Sequence, residues 1–298
     1  MKESFLHVSR VCDNDCIFCG FPQSDYYLQI FDLKQKVLES KKKGCNLISL
    51  TGGEPLLYPR IVELISFINS QGLESRITTN GLNASKGLID DLKFAGLNYF
   101  AFSVHSLRNN LCRKISSNDE YSLSRIFNSI NYSMKKGISV YINTTIFRLN
   151  YKEIPNIMNF LVKKLYGSFF VNLNYVVMDE NVISDRVDKV FVKISDVEPY
   201  LKEAMNFLSK SKINFRVERV PLCFMGDFYE HSSEYNRIQS FESPEYQLID
   251  RRVINKDEIF LDYRKPHLCK KCKKNKICLG LHKKYVKKFG MDELKPFM

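Results

Sequence analysis

Three cysteines stand within eight residues near the start of the chain, in the run Cys12-Asp-Asn-Asp-Cys16-Ile-Phe-Cys19. Thiolates are the ligands that iron–sulfur clusters select. Three of them can hold three irons of a [4Fe–4S] cube and leave the fourth iron open to a small molecule, which a four-cysteine structural site cannot do. A second group lies near the other end, where Cys269-Lys-Lys-Cys272 is followed after five residues by Cys278. Cys223 stands between the groups, in Val220-Pro-Leu-Cys-Phe-Met. Cys45 and Cys112 are isolated, read as small buried hydrophobes, and receive no role. Nine cysteines behind an N-terminus without a signal-peptide run point to metal or catalysis rather than disulfides, and to the cytoplasm.

The elements that must position these thiols follow a cadence: an amphipathic stretch, a glycine, then a β-rich run. Gly44 precedes Leu47–Thr51, Gly72 precedes Ser75–Thr79, and Gly96 precedes Tyr99–Val104. Gly137 precedes Val140–Ile146, and Gly167 precedes Phe169–Tyr175. A glycine just past a helix supplies the left-handed residue that ends it. The β-branched and aromatic runs read as strands. With Phe5–Ser9 as the first, six strands alternate with helices, which means an α/β fold with a parallel sheet. Such sheets keep their binding chemistry at the carboxyl ends of the strands, where the first cysteine group lies. After about Asp185 the cadence fades into a helix over Val197–Ser211 and a strand over Ile213–Val220, expected in a smaller C-terminal cap.

Polar residues cluster at those strand ends. Thr51-Gly52-Gly53-Glu54-Pro55 follows the second strand, and paired glycines let a backbone approach its neighbour closely. Thr78-Thr79-Asn80-Gly81 follows the third. Either segment alone also reads as a plain turn. Ser103 and His105 on strand four, Asn143, Thr145 and Arg148 on strand five, and Asn172 and Asn174 on strand six need partners if buried.

The spacing C-x3-C-x-aromatic-C, with Phe18 as the aromatic, resembles that of the radical S-adenosylmethionine (SAM) superfamily. Gly52-Gly53-Glu54 resembles its GGE motif and Thr79-Asn80-Gly81 its T-N-G element. The resemblance implies a partial (β/α)6 barrel over residues 1–185. Cys12, Cys16 and Cys19 would hold a [4Fe–4S] cluster whose open iron binds SAM. Gly52, Gly53 and Glu54 would hold the methionyl ammonium, while Phe18, Thr79, Asn80, Ser103, His105, Asn143 and Arg148 line the SAM site. It further implies that the reduced cluster cleaves SAM to methionine and a 5′-deoxyadenosyl radical, which abstracts a substrate hydrogen. The spacing C-x2-C-x5-C resembles the SPASM and twitch extensions that bind auxiliary [4Fe–4S] clusters, here over residues 186–298. Three readings of this group stay open. Cys223 completes a four-thiolate set with Cys269, Cys272 and Cys278. Alternatively, an iron is left open or taken by His282, with Cys223 a free hydrogen-atom donor in catalysis. In the third, the same thiolates bind zinc.

The formal net charge is +12, and Tyr263–Met298 carries twelve Lys or Arg against two Asp or Glu. Such a tail reads either as a surface for an acidic partner or as a solvated shell offsetting anionic clusters, and the second is preferred. With 44% hydrophobic and 26% charged residues and no apolar stretch of membrane-spanning length, the composition is that of a soluble globular protein. The expected activity is modification of a ribosomally made peptide or protein. With the cysteine triple beginning at residue 12, recognition of a precursor falls to the cap or to a separate protein. The alternative is small-molecule radical chemistry of the molybdopterin or dehydrogenase type. The non-enzymatic alternative, an iron–sulfur or zinc nucleic-acid-binding protein, has no use for a GGE cradle, so nucleic acid is disfavoured. An electron donor such as flavodoxin or ferredoxin is implied.

Overall fold

In the computed structural model of the chain, residues 2–20, 23–176, 186–240, 245–247 and 262–298 are described. The boundary expected at Asp185 lies outside them. The frame is one parallel sheet in the order β8-β1-β2-β3-β4-β5-β6-β7. Its strands are β1 (Glu3–Ser9), β2 (Leu47–Gly52), β3 (Glu74–Thr79), β4 (Tyr99–Ser103), β5 (Ser139–Ile146), β6 (Phe169–Tyr175), β7 (Asn214–Glu218) and the short β8 (Glu245–Gln247). The crossovers run through α1 (Ile30–Lys42), α2 (Ile61–Ser70), α3 (Lys86–Phe94), α4 (Asn109–Ser116), α5 (Leu123–Lys135), α6 (Ile154–Lys164), the short α7 (Val187–Val190) and α8 (Ile194–Lys210). Strands laid down in chain order, each parallel to the last, are the pattern of an incomplete barrel.

The cadence continues one unit further than the sequence suggested. The strand expected in the cap is β7, paired with β6 through Asn172↔Arg216 and Asn174↔Glu218. Its preceding helix, α8, buries Ile194, Val197, Leu201, Ala204, Met205 and Leu208 and packs on α6. The unit reads from sequence as part of the cap because its helix stop is not a glycine. Lys212 takes the left-handed turn at φ 56°, where Gly44, Gly72, Gly96 and Gly137 stand in the other units at φ 71–98°.

Each strand turns aliphatic and aromatic residues outward against the helices: Ile48 and Leu50, Ile77, Phe100 and Phe102, Ile142 and Ile146, Val171 and Leu173. The inner face is polar and aromatic. Arg76 on β3 lies over the rings of Phe5 on β1 and Tyr141 on β5, at 5.8 and 5.3 Å. In a flat sheet those outer strands would stand about 19 Å apart, so the sheet is concave and Arg76 fills its floor. Beside it runs a row of hydrogen bonds from Arg216 to Asn172 and from Asn172 to Asn143, at 2.8 and 2.6 Å.

After β7 come α9 (Leu222–Met225), α10 (Ser233–Ser240) and an antiparallel pair, β9 (Tyr263–Arg264) with β10 (Leu281–His282), then the C-terminal helix Lys283–Phe289. The tail docks on α8 through Tyr285, whose hydroxyl accepts from Ile194 N, and through Lys295 on Glu198. No helix among the described residues is long and apolar enough to cross a membrane.

Arg76 is only 5% exposed and pairs with Glu3, which also accepts from Ser49 Oγ. Removing one partner of such a buried pair strands the other charge. Glu3→Ala should therefore cost about 3–5 kcal/mol of stability. Arg76→Met, which fills the same space and leaves a carboxyl able to protonate, should cost less. Urea unfolding of the two variants checks the order.

Candidate active site

At the carboxyl ends of β1–β4 the concave face encloses a cavity of about 190 Å³. Cys12, Cys16 and Cys19 line it, and Gly52, Gly53, Glu54, Ser103 and His105 face the same space, with Phe18, Thr79 and Asn80.

The paired glycines are required by the protein's own chain. A Cβ on Gly52, whose φ is 119°, would sit 2.5 Å from Ser9 O, and one on Gly53 would overlap the Val11 carbonyl. Gly53 N donates to Ser9 O and Glu54 N to Val11 O, at 2.9 and 2.8 Å. Thus β2 ends by strapping the segment that leads from β1 to Cys12. Glu54, 2% exposed, then reaches across to β3. Its carboxylate accepts from Leu56 N, Thr79 Oγ1 and Asn80 N at 3.0, 2.8 and 2.7 Å. Burial pushes this carboxyl up to about 7, against the pull of those three donors.

The cysteine loop is anchored on several sides. Asp15 N and Ile17 N donate to Ser116 O and Ile115 O at the end of α4. Asn80 and Asn83 donate their side-chain amides to Asp13 at 2.6 and 2.7 Å, and Asn118 donates to Asn14 Oδ1 at 2.8 Å. Arg186 grips Asp15 with both terminal nitrogens. Burial pushes the Cys12 thiol up to about 12 and Cys16 well above its usual range, so both are protonated until a metal displaces the proton. Phe18 packs edge-on against His105 at 4.9 Å. Thr145 N donates to His105 Nδ1 at 3.2 Å, which fixes the ring's proton on Nε2.

The residues present fit an iron–sulfur group with a polar ligand. Three thiols share the cavity, and Ser9 Oγ, in its wall, is buried without a hydrogen-bond partner among the described residues. A second, small cavity is lined by Cys223, Cys269, Cys272 and Cys278 together, with Lys265 and Phe297. Among the described residues no set of three or more His, Cys, Asp or Glu is gathered tightly enough for a single metal ion. What each place offers a larger group is the number and type of thiols that share its cavity. His282 does not line the second cavity; its Nδ1 accepts from Lys284 N and caps the C-terminal helix.

Two expected SAM contacts lie elsewhere. Arg148 donates through Nε to Phe191 O at 2.9 Å and through its main chain to Val190, tying β5 to the segment before α8. Asn143 is engaged by Asn172 in the inner row. Neither borders the 190 Å³ cavity. Asn174 Oδ1 is buried and unpartnered among the described residues. Sequence reasoning missed Tyr121, and Cys112, which it gave no role; both line the cavity beneath the cysteine loop. It also missed the three asparagine and arginine anchors. Only Asn83, three residues after Asn80 on the same turn, carried a signal that could have been read.

The Radical SAM superfamily model matches residues 6–161, and the chain belongs to that superfamily. A protein of Methanocaldococcus jannaschii described as a probable GTP 3',8-cyclase is 25% identical over 208 residues, 63% of this chain and 68% of that protein. One from Saccharolobus solfataricus with the same description is 30% identical over 158 residues, 51% of this chain and 50% of that protein. The chain thus spans between half and about two thirds of these relatives. Among solved structures, Streptococcus suis SuiB bound to precursor peptide SuiA superposes with a TM-score of 0.70 at 17% identity, over 99% of this chain and 74% of that one. Native anSMEcpe with bound AdoMet and Cp18Cys peptide gives 0.66 at 13% identity, over 100% and 92%. At these identities the likeness is one of fold.

Two outcomes follow from this geometry. Gly53→Ala should cost about 1–3 kcal/mol by overpacking and lower iron loading by shifting the segment that leads to Cys12, read by thermal unfolding and iron analysis. Burial holds His105 down from 6.5 to about 4, so the unfolded chain takes up a proton there that the folded chain refuses. Above pH 6.5 His105 adds no slope; between 6.5 and 4 it makes the fold lose stability as pH falls. In His105→Gln, urea unfolding across that interval should show a smaller loss than in the wild type.

Proposed function

We propose that the chain is a radical SAM enzyme that modifies a peptide or protein, with a four-thiolate auxiliary cluster in its cap. The observation that carries this reading is the shared cavity of Cys223, Cys269, Cys272 and Cys278. Four thiolates occupy every iron of a [4Fe–4S] cube, which leaves none for a substrate. The cap then serves electron transfer to or from the substrate, and the substrate itself is held at the mouth of the barrel. The likeness of the whole chain, cap included, to two structures solved with peptides supports a peptide as that substrate.

When bound, the cluster on Cys12, Cys16 and Cys19 and its SAM supply a 5′-deoxyadenosyl radical able to abstract a hydrogen atom. The chain's own residues orient and enclose that chemistry. The Gly52–Gly53 strap and the Glu54 brace hold the cavity wall and present main-chain groups to a ligand. Phe18 lines the cavity and packs on the core ring of Phe147, 5.1 Å away. Neutral His105 offers an N–H at Nε2.

A second reading, small-molecule chemistry on a nucleotide, is favoured by the description of the curated relatives. Anaerobic reconstitution separates the possibilities. The full chain should bind about eight irons, two cubes of four, and release 5′-deoxyadenosine from SAM under reduction. Cys223→Ala should leave that release in place and lower iron towards about four. An unchanged iron count together with an unaltered paramagnetic resonance of the second cluster in Cys223→Ala would remove the four-thiolate assignment. Strong acceleration of 5′-deoxyadenosine release by GTP, with none by candidate peptides, would overturn the peptide reading in favour of the second.

A further inference from the structure

Asp13 and Asp15 both lie between the first two cysteines, yet the fold treats their charges differently. Asp15 faces Arg186, whose two terminal nitrogens meet its two oxygens at 3.0 and 2.6 Å, so its charge is cancelled locally. Asp13 is held by the neutral amides of Asn80 and Asn83, one on each oxygen. Among the described residues no cation pairs with it. Its Oδ1 stands 4.0 Å from Cys12 Sγ. Two hydrogen bonds thus fix a full negative charge beside a ligand sulfur.

We propose that Asp13 lowers the reduction potential of the cluster held on Cys12, Cys16 and Cys19, and that Asn80 and Asn83 are positioning residues that keep it there uncancelled. The inference rests on the reading of that triple as the cluster site. Reduction adds an electron to an already anionic group, and a fixed negative charge opposes it; net charge and hydrogen bonding are the levers by which proteins set such potentials. The result is a stronger one-electron donor toward a bound sulfonium. Asp13 is exposed on one side, so water and salt moderate the effect.

The test is a redox titration of the reconstituted full chain followed by electron paramagnetic resonance, with the second cluster as internal reference. In Asp13→Asn, poised at the wild-type midpoint, the reduced-to-oxidised ratio of the first cluster should rise about tenfold, an upward shift of about 59 mV for a one-electron couple. Asn83→Lys keeps Asp13 but sets a cation against it, and should shift the potential the same way. Added salt should narrow the gap between wild type and Asp13→Asn. If Asp13→Asn and Asn83→Lys retain iron at the wild-type potential, Asp13 is only a strut and the proposal fails. If Asp13→Asn loses its iron, Asn83→Lys decides alone. Absence of iron from the first site of the wild type would overturn both the proposal and the reading beneath it.

Discussion

The main chain of Gly52 and Gly53 lies against the segment leaving β1 more closely than any side chain allows. Much of the site depends on that approach. Two strap hydrogen bonds fix Ser9 and Val11, and so the point from which the cysteine loop departs. The next residue, Glu54, carries the constraint outward by holding Thr79 and Asn80 at the end of β3. Asn80 in turn holds Asp13, which closes the circuit back to the loop. Three consecutive strand ends and the thiols between them are thereby one mechanical unit. A carboxylate is suited to its centre because it accepts several bonds at once, and those donors offset the cost of burying it.

The concave sheet divides this unit from its support. Outward residues are apolar and make an ordinary α/β core. Inward residues form a floor of Arg76, Tyr141, Phe170 and Arg216, joined by cation–ring contacts of 5.3 and 5.5 Å. Glu3 answers one of the two charges, and Asn172, itself donating to Asn143, accepts from the other. A floor filled in this way confines the ligand cavity to the carboxyl ends of the strands, on the side of β1–β4. Asn143 illustrates the division: it lies level with Ser103 of the cavity wall, but its side-chain oxygen accepts from Asn172 in the inner row.

Much of this was legible from sequence because the signals were local. Cysteine spacing, a glycine pair after a strand and glycines after helices each report a constraint within a few residues. The seventh strand was misplaced because Lys212 does the work of a glycine, at a conformational cost the neighbouring packing of α8 and β7 outweighs. Arg148 could not be placed because a guanidinium at a strand end reaches about as far toward a backbone carbonyl as toward a ligand. The anchors of the cysteine loop were invisible for another reason: Asn118 and Arg186 lie 104 and 171 residues from the groups they hold. Contacts of that separation leave no periodicity in a single sequence.

The two thiol groups also differ in surroundings, and the difference bears on how one chain can use both. Carboxylates crowd the first: Asp13, Asp15 and Glu54 all bear on its ligands or its wall. Around the second, Lys265 binds the carbonyls of Asn275 and Cys278, Lys274 lies 3.7 Å from the Tyr229 ring centroid, and Lys270, Lys271, Lys273 and Lys276 alternate with the cysteines. Anionic groups are harder to reduce in a negative setting and easier in a positive one. On the reading proposed above, a group held at the first place would be the stronger electron donor and one held at the second the readier acceptor.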